Sequence, residues 1–191
     1  MHEGEHERRF HSEAKRLRSA GRLALLEVDR VVTLSVEGLG LVAPRVLDVG
    51  TGTGVFAEAF LARGFAVAGI DPNGELLQEA RRLVPGAEFK QASAEAIPYG
   101  DRTFDVVFLG HVLHETDEPV KTLGEACRVS RARVVVLEWP YVREEKGPPL
   151  EHRLKQEAIV EMAKLAGLDR VEPLKLSHMD LYRMAVKPAT H

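Results

Sequence analysis

The sequence predicts an α/β protein: a doubly wound, mostly parallel sheet of seven strands with an antiparallel C-terminal β-hairpin. Three observations carry this. From residue 45 onward, short apolar runs alternate with helix-like segments, the pattern of strands joined by crossover helices. The runs, such as Phe65-Ala66-Val67-Ala68-Gly69-Ile70 and Val134-Val135-Val136-Leu137, are unbroken, as strands covered on both faces are. The last two β-type segments, about 169–176 and 180–187, have no helix between them, so one of them must run antiparallel.

Taken in order, residues 1–20 are highly charged, with Phe10 and Leu17 the main apolar markers. They read as a solvent-facing helix or arm able to fold over a site. Residues 22–36 are more apolar and predict one helix on the domain's edge, followed by the connector Gly38-Leu39-Gly40-Leu41. Strand one spans 45–49, and its helix, 54–63, ends at Gly64. Strand two, 65–70, closes on Asp71. Pro72 and Asn73 open a helix that runs to Val84, and Pro85-Gly86 stops it. Strand three is 87–91, strand four 104–109, then a helix over 118–129 and strand five over 133–138. A loop containing Gly147-Pro148-Pro149 precedes a helix over 151–166 that ends at Gly167. The expected organisation is an N-terminal helical arm, 1–40, packed on a ligand-binding domain, 41–191.

The chain is organised around Val46-Leu47-Asp48-Val49-Gly50-Thr51-Gly52-Thr53-Gly54. Strand, glycine turn and helix open a nucleotide-cradling α/β unit. Glycine takes positive φ and lets a ligand approach without a Cβ in the way, and the N–H groups that open the helix face that ligand. A dinucleotide fingerprint beginning at Gly50 would need glycine at Val55. The string is instead D-x-G-x-G-x-G, which resembles motif I of the class I S-adenosylmethionine-dependent methyltransferases. An NAD-dependent oxidoreductase and a ligand-free glycine turn are the alternatives for this string alone.

Further markers follow in the same order as in that family. Asp71 ends strand two, where a carboxylate can accept both ribose hydroxyls; it can equally cap the helix that Pro72 opens. Ala92-Ser93-Ala94-Glu95-Ala96-Ile97-Pro98-Tyr99, then Thr103-Phe104-Asp105-Val106-Val107, resembles the family's adenine-clasping loop and the entry of strand four. The family's acid is replaced by Ser93, a weaker acceptor for the adenine amine, while Ala94 offers its N–H and Glu95 stands beside it. Phe108-Leu109-Gly110-His111-Val112-Leu113-His114-Glu115 resembles the segment that floors the cofactor site. The resemblance spans roughly residues 45–140 and implies a Rossmann-like methyltransferase fold with S-adenosylmethionine as cofactor. It places Asp48, Gly50, Thr51, Gly52, Gly54, Asp71, Pro72, Ser93, Ala94, Glu95, Gly110 and His111 on the cofactor. His111 and His114 are the catalytic candidates, with His114 first as proton acceptor; Glu115, Glu138, Trp139 and Tyr141 share that edge. In the loop after strand five, Arg143 or Arg153 could hold an anionic substrate or equally belong to a solvated loop, while Arg16, Arg18 and Arg22 read first as a solvated face, with a ligand carboxylate as the alternative.

Composition narrows the function. A hydrophobic share of 45%, a charged share of 29% and a net charge of −3 suit a globular protein with no polyanionic partner. Together with Leu109-Gly110-His111-Val112, unlike the acid-or-Asn, two-proline and aromatic string of nucleic-acid amino-methylating relatives, this argues against nucleic acid as substrate. The expected partner is a small-molecule methyl acceptor, with no membrane and no nucleic acid, and a homodimer is compatible with the sequence. No apolar run is long enough to span a bilayer, the charged N-terminus is not a secretory signal, and the cytoplasm is the expected location. Cys127 is the only cysteine and falls on an apolar helix face. His2, His6, His11, His111, His114, His152, His178 and His191 show no paired ligand spacing, so no metal is expected. Neither Tyr141–Lys146 nor Tyr182–Lys187 has the Tyr-x-x-x-Lys spacing of short-chain dehydrogenases. A non-catalytic S-adenosylmethionine-binding sensor or partner subunit remains the rival reading, and Ser93 is its best support.

Overall fold

The computed structural model describes residues 16–187; Phe10, His2, His6, His11 and His191 lie outside them. The elements are α1 (Ala20–Leu26), α2 (Val28–Val36), β1 (Arg45–Val49), α3 (Val55–Leu61), β2 (Ala66–Asp71), α4 (Gly74–Leu83) and β3 (Glu88–Gln91). Then come β4 (Phe104–Gly110), α5 (Pro119–Val129), β5 (Ser130–Glu138), α6 (Gln156–Leu165), β6 (Asp169–Lys175) and β7 (Asp180–Ala185). One seven-stranded sheet has the order β3-β2-β1-β4-β5-β7-β6. The first five strands pair in parallel, and β7 runs antiparallel to both β5 and β6. The expected sheet with its closing hairpin is therefore present.

Alternation along the strands sorts the core into two layers, because successive side chains point to opposite faces. Leu47, Val49, Ile70, Val107, Leu109, Val134 and Val136 pack with Leu123 and Ala126 of α5 and Ile159 and Ala163 of α6. Val46, Val67, Val106, Phe108, Val135 and Leu137 pack on the other face with α2, α3 and α4 through Val31, Val32, Phe56, Phe60, Leu77 and Ala80. The Phe108 ring meets Phe56 at 4.6 Å and Phe60 edge-on at 5.6 Å. Each such fully buried side chain stabilises the fold by roughly 1.5–3 kcal/mol. Because Leu26, Val31 and Val32 belong to this layer, α1 and α2 are part of the folded body.

Two elements differ from the sequence reading. The single helix expected over 22–36 breaks at Glu27, which adopts a left-handed conformation (φ 44) between α1 and α2. Its carboxylate accepts from the Ser177 N–H at 2.7 Å and from Arg30 at 2.9 Å, so a contact 150 residues away fixes a turn that local periodicity does not show. The helix expected from 151 starts at Gln156; before it lies only a 3-10 turn, Leu150–His152. Arg153 stops that turn in an extended conformation (φ −91, ψ 147), held by contacts described below.

Candidate cofactor and acceptor site

β1 lies between β2 and β4, so the chain leaves it in one direction for β2 and later returns on its other side. That reversal opens a crevice at the carboxyl ends of the strands, and the glycine loop fills its floor. Gly50, Gly52 and Gly54 all have positive φ (67, 54 and 80). At Gly50 the need is double: a Cβ there would stand 2.3 Å from Val112 Cγ2.

The loop is held from below by Asp48. Its Oδ2 accepts from the Thr51 hydroxyl at 2.6 Å and from the Ala57 N–H at 3.1 Å. A strand side chain thus satisfies a donor in the first turn of α3, whose N-cap, Gly54, has no side chain to do so. Burial pushes the Asp48 carboxyl up to about 7, with the Thr51 and Ala57 hydrogen bonds pulling the other way and Asp71 adding to the rise. From the arm, Arg18 donates to Thr53 O and to Glu58 Oε2, both at 2.7 Å.

Asp71 lies opposite. One oxygen accepts from the Gly52 N–H at 2.9 Å and the other from the Asn73 N–H at 2.8 Å. The cap of α4 is Asn73, whose side chain accepts from Glu75 N and Leu76 N; Asp71 is not the cap and faces the crevice instead. The Ser93 hydroxyl accepts from Glu95 N at 3.2 Å and lies 3.3 Å from Glu95 Oε2, while Glu95 Oε1 accepts from Glu118 N. These bonds tie the loop after β3 to the start of α5.

The crevice has two adjoining hollows of about 420 and 590 Å³ that share Gly50, Asp71, Leu76, His111 and Glu115. Each falls in the range of small-molecule sites. The smaller is bounded by Pro72, Ser93, Ala94, Glu95 and Val112. The larger is bounded by Gly52, Gly110, His114, Trp139 and Gly147, and by Arg16, Leu17 and Arg22 from the N-terminal side. Asp48, Thr51 and Gly54 line neither: the first two are buried beneath the loop, and Gly54 packs on Val84, Ala80 and Phe89. Gly110 contributes backbone; the space a side chain would take there is filled by Phe108 and Phe56. A hollow of about 570 Å³ between α1, α2 and α3 has no strand residue in its lining and lies apart from the crevice.

His111 sits where the hollows meet, in a left-handed conformation (φ 60) and with its N–H on Leu137 O. It is 8% exposed, yet among the described residues neither ring nitrogen has a hydrogen-bond partner. Burial, with Arg22 and His114 nearby, holds its pKa down at about 3, so the ring is neutral and offers one donor and one acceptor. His114 is different. Its Nδ1 lies 2.6 Å from Glu138 Oε2. Burial pulls this imidazole down, but the Glu138 hydrogen bond and charge, with Glu115, lift it above its ordinary value.

Arg153 lines neither hollow. Its side chain, 1% exposed, donates to the carbonyls of Pro148, Pro140, Val142 and Lys146 and lies 3.5 Å from Glu144. It shapes the loop from Pro140 to Pro148 that walls the larger hollow, with Gly147 against Trp139. The sequence left Arg153 open between an anion contact and a solvated loop, because the carbonyls of an irregular loop have no sequence signature. Arg22, by contrast, lines the larger hollow, and its guanidinium makes no hydrogen bond among the described residues. Arg18 is held by the glycine loop. Among the described residues, no group of three or more His, Cys, Asp or Glu side chains could hold a metal ion, and no helix is long and apolar enough to cross a membrane. Cys127 packs half-buried against the α5–α6 layer.

Fold and crevice together define an α/β domain that binds a nucleoside-type cofactor at the carboxyl edge of its sheet. The Methyltransferase domain family model matches residues 47–137. A demethylmenaquinone methyltransferase from Renibacterium salmoninarum is 33% identical over 122 residues, 62% of this chain and 52% of that protein. One from Chlorobaculum tepidum is 39% identical over 88 residues, 45% of this chain and 36% of that protein. The chain thus spans about half, or less, of the length of these relatives. The solved structure of an S-adenosylmethionine-dependent methyltransferase from Aquifex aeolicus is 26% identical with a TM-score of 0.82, covering 92% of this chain and 98% of that one. Over residues 47–137 the chain matches the Methyltransferase domain family, and over nearly its whole length it is similar to a class I S-adenosylmethionine-dependent methyltransferase, a family whose cofactor is S-adenosylmethionine.

Proposed function

We propose that this protein transfers a methyl group from S-adenosylmethionine to a small-molecule acceptor. The observation that carries the reading is His111: two ring nitrogens buried without partners at the junction of the hollows. Leaving such groups unpaired is unfavourable by about 1–3 kcal/mol, and a polar ligand across the junction would satisfy them. The cofactor supplies a methyl group already activated on a sulfonium. On this reading Asp71, Pro72, Ser93, Ala94 and Glu95 hold its nucleoside part, and Gly50, Gly52, Gly110 and His111 hold the rest. Asp48, Thr51 and Gly54 act from behind by fixing the loop. The acceptor takes the larger hollow beside His114, Trp139 and Arg22, where the protein's task is alignment, exclusion of water and removal of a proton. The names of the two demethylmenaquinone relatives support a small-molecule acceptor. Of the arm expected over 1–40, the described residues Arg16, Leu17 and Arg22 complete the hollow, and 41–191 form the cofactor domain; the protein works in the cytoplasm, without nucleic acid or membrane, and a homodimer is compatible with this.

Thermal unfolding with S-adenosylmethionine, S-adenosylhomocysteine or NAD tests the reading. A ligand at 100 times its Kd adds about 2.7 kcal/mol, roughly 5–10 °C for a domain of this size. Shifts with both sulfur compounds and none with NAD are expected; a shift with NAD alone would refute the reading. The rival, a non-catalytic sensor or partner subunit, has Ser93 in the acid's place as its support. It falls if bound cofactor is converted to S-adenosylhomocysteine with any acceptor.

A further inference from the structure

Glu138 ends β5 and His114 lies just beyond β4. The parallel pairing of those strands brings together two side chains 24 residues apart, exposed by only 2% and 7%. The contact is doubled: Glu138 Oε2 meets His114 Nδ1 at 2.6 Å, and Oε1 accepts the His114 backbone N–H at 3.3 Å. Ring and backbone are therefore held by one carboxylate. Glu138 itself does not line the larger hollow, whereas His114 does, so the ring edge away from Glu138 is the one presented to the cleft. Nε2 on that edge makes no hydrogen bond among the described residues and lies 3.8 Å from Glu115 Oε1. An ionised carboxylate only accepts, so in the neutral ring Nδ1 carries the hydrogen and Nε2 holds the lone pair.

The charges facing this pair come from several elements. Glu115 lies on the same loop as His114, and Arg153, ahead of α6, acts against protonation. Asp180 of β7 is the strand partner of Glu138. His111 and, from α1, Arg22 stand across the cleft. His111, held neutral, does not compete for a proton. His114 is thus the one histidine of the cleft placed to take one.

We propose that Glu138 is a positioning residue for methyl transfer, locking His114 in the tautomer whose Nε2 accepts a proton from the acceptor's reacting atom. The proposal rests on the methyltransferase reading above. The acceptor's X–H bond breaks, its electron pair stays on X as the nucleophile, and the proton passes to Nε2. The Glu138 carboxylate balances the imidazolium, which returns its proton to water when the cleft opens. The acceptor class follows: a molecule that must lose a proton from the reacting atom, such as a hydroxyl or an acidic carbon, and not a thioether or tertiary amine.

The test starts without turnover. With ring-nitrogen-labelled histidine, long-range NMR reads each tautomer, and a His114→Asn variant identifies the His114 signals. Hydrogen on Nδ1 of His114 is expected, with titration above the ordinary histidine value and a fall in that midpoint in Glu138→Gln. Hydrogen on Nε2 in the native protein overturns the proposal whether or not any variant folds, as does unchanged titration in folded Glu138→Gln. In turnover, Glu138→Gln should lower kcat at least about 10-fold and move its acid limb to lower pH, with cofactor affinity unchanged by calorimetry. Methylation of dimethyl sulfide at a rate indifferent to Glu138→Gln would also overturn it. Failure to bind S-adenosylmethionine, with the expected tautomer present, would instead refute the methyltransferase reading and the role in methyl transfer with it.

Discussion

Gly50→Ala separates the two reasons for glycine in the cofactor loop. The residue has φ 67, and its new Cβ would lie 2.3 Å from Val112 Cγ2. Left-handed backbone is unfavourable for alanine by about 1–2 kcal/mol. The overlap adds a further ~1–3 kcal/mol, typical of overpacking, because Val112 is β-branched, buried and stiff at χ1. Gly52→Ala is the internal control: φ is 54, but the nearest atom to its Cβ is Leu17 Cδ1 at 3.6 Å, an ordinary contact. Gly52→Ala should therefore destabilise by roughly 1–2 kcal/mol and Gly50→Ala by roughly 2–5 kcal/mol. Urea unfolding, with thermal unfolding as a second readout, measures both. Val112→Ala alone removes buried methyl groups at about 0.8 kcal/mol each, yet in combination with Gly50→Ala it should restore stability. The cycle should show a coupling of about 1–3 kcal/mol in the restoring direction. Equal losses for the two glycines, or no coupling with Val112, would show that the loop yields and that the steric argument is wrong.

His111→Asn keeps a residue tolerant of left-handed backbone but removes a buried imidazole held at about 3. The unfolded chain binds a proton there below its ordinary 6.5 and the native protein does not, so this site lowers native stability as pH falls through that window. Between pH 7 and pH 4.5 the native protein should lose about 2–3 kcal/mol more than His111→Asn, measured by urea unfolding at both pH values; parallel losses would refute a buried neutral His111. Arg153→Ala leaves the carbonyls of Pro140, Val142, Lys146 and Pro148 without their donor. Protease nicking within 140–149 should accelerate several-fold while the sheet's amide protection is kept. Uniform loss of protection would instead make Arg153 a part of the global core.

The sheet was legible because its strands are covered on both faces. Val46-Leu47, Val106-Val107-Phe108-Leu109 and Val134-Val135-Val136-Leu137 read as apolar runs without a polar break, and breakers mark the ends of the helices between them. The glycine string and the acid at Asp71 were legible for a related reason: a crevice at the strand ends demands a turn with positive φ there, and few sequences supply one. The placement of Ser93, Glu95 and His111 around that crevice then follows from strand order.

What the sequence did not display was set by partners distant in the chain. Glu27 breaks a helix because Ser177 N–H reaches its carboxylate. Arg153 delays α6 because four loop carbonyls converge on its guanidinium. The same limit governs the chemistry. His114 and Glu138 were each visible as edge residues, but a base and a carboxylate 24 positions apart become a pair only when β4 and β5 lie side by side in register, Leu109 beside Val136 and Gly110 beside Leu137. A one-residue slip of that pairing would turn the Glu138 side chain to the opposite face. The register of two apolar strands thus decides whether the cleft contains a directed proton acceptor, and motif spacing within either strand carries no trace of it.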